Sequence, residues 1–200
     1  MKKICISSSS LITSTDNYWS TFNEKYELIF SSYGDWSGAL LNTDSDVINV
    51  LIIFSSDLDI NQEKESEAYS MFFKLLEDRL SKSTAQIVIV FSSWRPNSLI
   101  RSSKLDNSSK ELHYWMNSKL NILANRYASL YKIDLDYALS SIGLEKSFDT
   151  RNWYFAHCHL SHSGLKALSE SINKTIVRFS TPASKVLILD CDNTIWGGVV

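Results

Sequence analysis

Short apolar runs alternate with amphipathic stretches along the chain. Val47–Phe54 (VINVLIIF) is the most apolar run, and four shorter ones stand at Lys2–Ser7, Tyr26–Ser31, Ala85–Phe91 and Lys132–Leu135. A largely apolar run such as Val47–Phe54 is typical of a parallel strand buried on both faces. The pattern therefore predicts five strands, with Val47–Phe54 at the centre of the sheet.

Helical periodicity fills the stretches between these strands. Asn61–Ser81 has the clearest apolar stripe, with charged residues on its other face. Ser108–Leu130 is a second long helix, and Ser161 can cap a third over Ser163–Ser180. The remaining predictions are a helix over Ser14–Lys25, a turn with a short helix over Tyr33–Asn42, a loop over Ser92–Asp106 and an irregular stretch over Ser140–Asn152.

Strands that alternate with helices predict an α/β fold. We expect a doubly wound, flavodoxin-like parallel sheet of five strands, with helices on both faces and right-handed crossovers. This domain would span residues 1–180. Residues 181–184 (TPAS) form a short linker, and residues 185–200 begin a second unit that is not completed within the 200 residues.

Composition narrows the functional classes. Hydrophobic residues make up 44% of the chain, and the net charge of -2 comes without a basic stripe, which argues against nucleic acid and anionic membranes as partners. No apolar stretch approaches the ~20 residues that span a bilayer. The apolar run at the N-terminus is cut short by the four serines Ser7–Ser10, so we do not expect a signal peptide there. Three separated cysteines without a C-x-x-C motif predict free thiols in a reducing cytoplasm.

The strongest chemical signal lies at Lys185–Val200 (KVLILDCDNTIWGGVV). An apolar run there leads into D-x-D-x-T, so two carboxylates follow a buried strand, where open α/β sheets bind ligands. Asp190 could attack phosphorus as a nucleophile, Asp192 could serve as general acid and base, and Thr194 could orient the turn. Mg²⁺ bound by Asp190 and Asp192 would offset the repulsion between carboxylate and phosphate. The alternative for the aspartates is a strand end followed by a capped turn.

The string LDCDNTIWGGVV resembles motif one of the haloacid dehalogenase (HAD) superfamily, and in particular its FkbH-like branch of subfamily IIIC. The stretch RNWY at Arg151–Tyr154 is similar to the same branch. The resemblance implies a Mg²⁺-dependent phosphatase or phosphoglyceryl transferase. It would act on a phosphorylated small molecule such as a bisphosphoglycerate, with an acyl carrier protein, in polyketide or polysaccharide biosynthesis. The other motifs of that superfamily would follow Val200, so we expect residues 1–200 to be inactive alone.

The first domain resembles the SGNH hydrolases. Ser7–Ser10 stand where that family has G-D-S, which makes Ser9 the nearest match to its nucleophile, and the context of His159 (HLSHSG) is similar to that of its catalytic histidine. Ala156 stands where the family has its aspartate. Ser55–Asp57 stand where the family has the motif whose asparagine donates to the oxyanion, so that donor is lost. Two readings stay open: an acyl hydrolase or acyltransferase that uses Ser9 and His159, and a non-catalytic recognition domain.

Two histidines and one arginine are further candidate binding residues, and each also has an explanation without a ligand. On an extended segment the side chains of His157 and His159 would lie on the same face and could bind Zn²⁺ as a pair. The alternative is a surface loop without a metal, since the spacing does not require a third ligand nearby. Arg95, after the fourth predicted strand, could bind a phosphate or carboxylate or could simply be solvated.

Overall fold

A computed structural model describes residues 2–12, 17–23, 25–54, 62–92 and 107–181. All five predicted strands are present in one parallel sheet, in the order β2-β1-β3-β4-β5. The strands are β1 (Lys2–Ser8), β2 (Tyr26–Phe30), β3 (Val47–Phe54), β4 (Ile87–Ser92) and β5 (Leu130–Asp134). The α/β class and the doubly wound arrangement are therefore confirmed.

Strand β3 is the middle strand, as its composition predicted. All eight of its residues are buried, and it pairs with β1 on one side and β4 on the other. Alternate side chains point to opposite faces of the sheet, so Val50 and Ile52 enter one core while Leu51 and Ile53 enter the other. A strand covered by helices on both faces favours apolar side chains. The polar exception in VINVLIIF, Asn49, is buried and donates from its side chain to the Asn42 carbonyl at 3.4 Å.

Eight α-helices and one 3₁₀ turn surround this sheet within the described residues. They are the 3₁₀ turn (Asn17–Trp19), α1 (Ser20–Asn23), α2 (Ser37–Leu41), α3 (Gln62–Lys82), α4 (Asn107–Arg126), α5 (Leu135–Ser140), α6 (Leu144–Ser147), α7 (Thr150–Ala156) and α8 (His162–Ser180). Helices α3 and α4 cover one face, and α8 with α5 and the 3₁₀ turn covers the other.

Helix α8 crosses the sheet from its carboxyl edge to its amino edge. It begins at the cap residue Ser161, whose side chain accepts from the Gly164 N–H. Near its other end Phe179 stacks on Tyr131, the second residue of β5, with ring centroids 4.1 Å apart. The chain therefore leaves the described domain at the amino edge of the sheet.

The structure corrects several predicted details. Ser140–Asn152 is not irregular, because α6 and the start of α7 lie within it, and α5 was not predicted at all. These helices are only four to seven residues long, so they show too few turns for an apolar period. Helical spacing within the stretch Ser108–Leu130 also predicts that Trp115 faces inward, yet Trp115 is 37% exposed and lies edge-on to Tyr69 and Phe73.

Some predictions lie outside the described residues, namely the loop at 93–106 with Arg95, part of the helix predicted over Ser14–Lys25, and residues 185–200. Among the helices that are described, none is both long enough and apolar enough to cross a membrane.

Candidate functional site

Three parts of the chain meet at the carboxyl edge of the sheet. They are the serine loop that follows β1 (Ser9 and Ser10), the end of β3 at Phe54, and the turn between α7 and α8, which runs from His157 to Ser161. Parallel strands place all their carboxyl ends at one edge, where ligand sites of open α/β sheets are found. This edge is therefore the candidate site of the described domain.

The serine loop is buried and tied down by hydrogen bonds. The Ser10 hydroxyl donates to the His157 carbonyl at 2.8 Å and accepts from the His159 N–H at 3.3 Å. The Phe54 N–H donates to Ser9 Oγ at 3.0 Å. The loop thus connects β1 with the end of β3 and with the turn after α7.

His159 is a buried residue whose ring lies between two aromatic side chains. Its imidazole stacks on the Trp153 indole at 4.1 Å, with the ring planes only 7° apart, and the Phe54 ring lies 5.2 Å away. The His159 carbonyl accepts from the Asp149 N–H at 3.1 Å. The backbone and the ring of His159 are therefore both fixed by residues of the domain.

The structure brings the two predicted residues, Ser9 and His159, to a common neighbour. Phe54 donates its N–H to the Ser9 hydroxyl oxygen, and its ring faces the His159 imidazole. Ser10, which the sequence did not single out, is the serine bonded to the backbone of the histidine turn. An N–H that donates to Ser9 Oγ occupies one of the two lone pairs through which a nucleophilic oxygen would react.

Backbone donors at the serine loop are already engaged. The Ser9 N–H donates to the Ile52 carbonyl at 3.0 Å, the Ser10 N–H to Ser8 Oγ at 3.1 Å, and the Leu11 N–H to the His157 carbonyl at 2.9 Å. An oxyanion hole needs N–H groups aimed at the place where negative charge develops. These three N–H groups are aimed at the protein itself, so they do not form such a hole in this arrangement.

The turn after α7 has a backbone conformation that rarely suits a side chain. His157 has φ of 47° and caps α7 in the left-handed region, and its ring contacts Trp153 and Tyr33. The segment is therefore not extended, and His157 is exposed whereas His159 is buried. The described residues contain no group of three or more His, Cys, Asp or Glu side chains that could hold a metal ion.

Two polar side chains near this edge were not anticipated. The buried Ser92 hydroxyl, at the end of β4, donates to Asp136 Oδ1 at 2.6 Å. Asn152 of α7 donates from its side chain to the Leu160 carbonyl at 3.0 Å. Asn152 and Trp153 both belong to the RNWY stretch. No pattern in the sequence indicated that Asn152 bonds to the turn or that Trp153 stacks on His159.

A small cavity lies beside the serine loop. Its volume is about 10 Å³, and Ser8, Ser10, Ser31 and Tyr33 contribute to its walls. That space admits about one water molecule, because a water needs roughly 10–15 Å³. An acyl or sugar substrate does not fit into it.

The second predicted site lies outside the described residues. It comprises Asp190, Asp192 and Thr194, together with the proposed Mg²⁺ ligands Asp190 and Asp192. Their roles stay predictions, and the donor chemistry suits the ion, since Mg²⁺ is bound by one or two carboxylates together with water and phosphate oxygens.

Comparison with known proteins finds solved structures with the same fold. No family model matches the chain, and no curated protein matches it. Among solved structures, the N-terminal part of protein BF1531 from Bacteroides fragilis, described as containing a phosphatase domain and complexed with Mg, superposes with a TM-score of 0.74 at 19% identity. The match covers 99% of this chain and 57% of the Bacteroides chain, so this chain spans little more than half the length of that chain.

Two further structures share the architecture less closely. A putative platelet activating factor from Streptococcus pneumonia matches with a TM-score of 0.53 at 16% identity, over 88% of this chain and 83% of its own. Protein YXIM from Bacillus subtilis matches with a TM-score of 0.53 at 15% identity, over 90% of this chain and 57% of its own. At these identities the matches establish the fold.

Proposed function

We propose that this chain is the N-terminal part of a Mg²⁺-dependent phosphatase or phosphoglyceryl transferase of the FkbH-like type. The structural similarity to the N-terminal part of a phosphatase-domain protein is the observation that carries the proposal. The LDCDNT string at Leu189–Thr194, at the start of the second unit, supports it independently.

The proposed chemistry takes two steps. A carboxylate oxygen of Asp190 forms a bond to phosphorus while the bond to the leaving oxygen breaks, and Asp192 donates a proton to that oxygen. Asp192 then takes a proton from water, whose oxygen attacks phosphorus and releases Asp190 and inorganic phosphate. Mg²⁺, when bound, neutralises negative charge on the phosphate.

In this proposal the described domain is a recognition module without chemistry of its own. The engaged N–H groups of Ser9, Ser10 and Leu11 support that role, as does Ala156, which stands where the SGNH pattern has its aspartate.

The substrate and partner belong to the proposal as well. By the resemblance, the donor is a phosphorylated small molecule such as a bisphosphoglycerate, and the acceptor is an acyl carrier protein in the cytoplasm. A net charge of -2 gives no electrostatic reason to expect nucleic acid.

The test measures phosphate release from p-nitrophenyl phosphate, with and without Mg²⁺, by the chain together with any residues that its reading frame encodes beyond Val200. Asp190→Asn should lower the Mg²⁺-dependent rate by about a thousandfold or more, since it removes the nucleophile. Asp46→Asn is the matched control, because Asp46 is an exposed aspartate at the opposite edge of the sheet. A rate that Asp190→Asn leaves unchanged would contradict the proposal.

A second candidate, an acyl hydrolase or acyltransferase, has one observation in its favour: Ser9 and His159 both contact Phe54. A fluorophosphonate probe and p-nitrophenyl acetate distinguish the candidates. Labelling that disappears in Ser9→Ala and persists in Ser141→Ala, an exposed serine, would establish the hydrolase. Under the leading proposal, the two variants and the native chain label equally weakly.

A further inference from the structure

Two buried polar side chains meet at one backbone carbonyl near the amino edge of the sheet. Arg79 of α3 is 3% exposed and Asn49 of β3 is 0% exposed, so solvent reaches neither of them freely. Arg79 donates from Nε to the Asn42 carbonyl at 3.3 Å, and Asn49 donates from Nδ2 to the same oxygen at 3.4 Å. The Asn42 oxygen therefore brings a guanidinium and a carboxamide together between the helix and the central strand.

Each of these side chains has one buried atom without a hydrogen-bond partner in the protein. In Arg79 the atom is Nη2, which carries two N–H donors, whereas Nη1 donates to the Ala85 carbonyl at 3.1 Å. In Asn49 the atom is Oδ1, which has two lone pairs. Buried polar groups in native proteins are paired with protein atoms or with ordered water. A donor and an acceptor at this place therefore both require a partner.

Both unpartnered atoms lie close to the Asn42 oxygen. In the planar guanidinium, one N–H of Nη2 runs parallel to the Nε–H, so Nη2 lies on the side of Arg79 that faces the Asn42 carbonyl. In Asn49, Oδ1 is joined through one carbon atom to Nδ2, which contacts the same carbonyl. The two atoms nevertheless do not bond to each other. A group that links them must accept from Nη2 and donate to Oδ1.

The charge of Arg79 limits what that group can be. Burial lowers the pKa of the Arg79 guanidinium, and none of the described carboxylates forms an ion pair with it. A buried cation without a carboxylate depends on polar oxygen atoms in place of its hydration. Chloride would neutralise the charge, but it only accepts hydrogen bonds and would leave Asn49 Oδ1 unpaired. Water both accepts and donates, so it satisfies the two atoms together.

We propose that Arg79 and Asn49 form a binding site for one internal water molecule. The water oxygen accepts from Arg79 Nη2, and one water O–H donates to Asn49 Oδ1. With the two bonds to the Asn42 carbonyl, the water connects α3 to the central strand β3 beneath the loop that leads into that strand. The water is a part of the fold at the amino edge, away from the candidate site at the carboxyl edge.

Magnetic relaxation dispersion of water oxygen-17 tests the site on the full chain, because it detects internal water molecules with long residence times. Asn49→Leu keeps the approximate shape of the side chain and removes the acceptor, so the dispersion amplitude should fall by the contribution of about one water molecule. Asn152→Leu is the matched control. Asn152 also donates from its side chain to a backbone carbonyl, but it has no buried side-chain atom that lacks a partner, so its loss should leave the amplitude unchanged.

A high-resolution crystal structure of the native chain gives a second readout should Asn49→Leu not fold. A water within hydrogen-bond distance of both Arg79 Nη2 and Asn49 Oδ1 supports the proposal. A direct bond between these two atoms, a bound chloride, or a dispersion amplitude that Asn49→Leu leaves unchanged would overturn it. None of these readouts depends on phosphatase activity, so this site and the proposed function are tested separately.

Discussion

Ser10 and His157 are 147 residues apart in the sequence, and the Ser10 hydroxyl donates to the His157 carbonyl at 2.8 Å. The bond joins the loop after the first strand to the left-handed turn that ends α7. The same serine oxygen accepts from the His159 N–H. One buried hydroxyl therefore fixes the distance between the first and last parts of the candidate site.

Replacing that hydroxyl should destabilise the domain. Ser10→Ala leaves the buried His159 N–H without the Ser10 oxygen, so we expect a loss of about 1–3 kcal/mol in the free energy of unfolding. Urea denaturation measures the loss, and hydrogen exchange should show a faster His159 amide. The control is Ser141→Ala, whose hydroxyl makes the same kind of bond, to the Ala138 carbonyl, on the surface. An equal effect in both variants would refute this role of Ser10.

Gly164 in the first turn of α8 should not tolerate a side chain. A Cβ there would lie 2.2 Å from the Ser147 carbonyl oxygen and 3.1 Å from Leu160 Cδ2. Since the obstructing atom is backbone, Gly164→Ala should cost about 1–3 kcal/mol of stability. Gly38→Ala meets only the side chain of exposed Asp35, at 2.6 Å, which can rotate away. Thermal denaturation of both variants gives the comparison, and a stable Gly164→Ala would disprove the expected clash.

Arg79 holds two loops together at the amino edge of the sheet. It is buried, and its guanidinium donates to the Asn42 carbonyl at 3.3 Å and the Ala85 carbonyl at 3.1 Å. Arg79→Ala should cost about 2–3 kcal/mol, because hydrogen bonds to a charged group are lost. Lys82→Ala, which removes an exposed ion pair with Asp78 from the same helix, should cost at most about 0.5 kcal/mol. Similar losses in chemical denaturation would count against this account.

The thiol of Cys5 should respond to pH. Burial raises its pKa above the ordinary value of 9.0, and the negative charge of Asp35 acts in the same direction. The folded chain then holds the proton more tightly than the unfolded chain. Stability relative to Cys5→Ala is therefore retained below pH 9.0 and decreases as pH rises above it.

Two measurements check this pH dependence. Denaturation midpoints of the native chain and Cys5→Ala between pH 7 and 10.5 should diverge only in the alkaline range. Asp35→Asn should make Cys5 react faster with a thiol reagent at a given alkaline pH, whereas Asp78→Asn, on α3, should not. A midpoint difference that is constant with pH would show that Cys5 is not coupled to stability in this way.

Much of the fold could be predicted because its signals are local. The VINVLIIF run specifies a strand buried on both faces, and Ser161 caps α8 as its position before an apolar period indicated. Helices α5, α6 and α7 escaped prediction because four to seven residues are too few for an apolar period to be recognised. Trp115 shows a related limit, since an aromatic residue at helical spacing can pack edge-on and stay partly exposed.

The sequence by itself determined the α/β class, the central strand and a phosphatase-like string at Asp190, since apolar period and motif spacing are written along the chain. The tertiary structure alone decided which serine contacts the histidine turn, because Ser9 and Ser10 differ only in the direction that the chain takes after β1. It also decided that Trp153 packs on His159 while Phe155 faces outward. Contacts between residues far apart in sequence depend on how strands and helices are packed, and no local pattern encodes them.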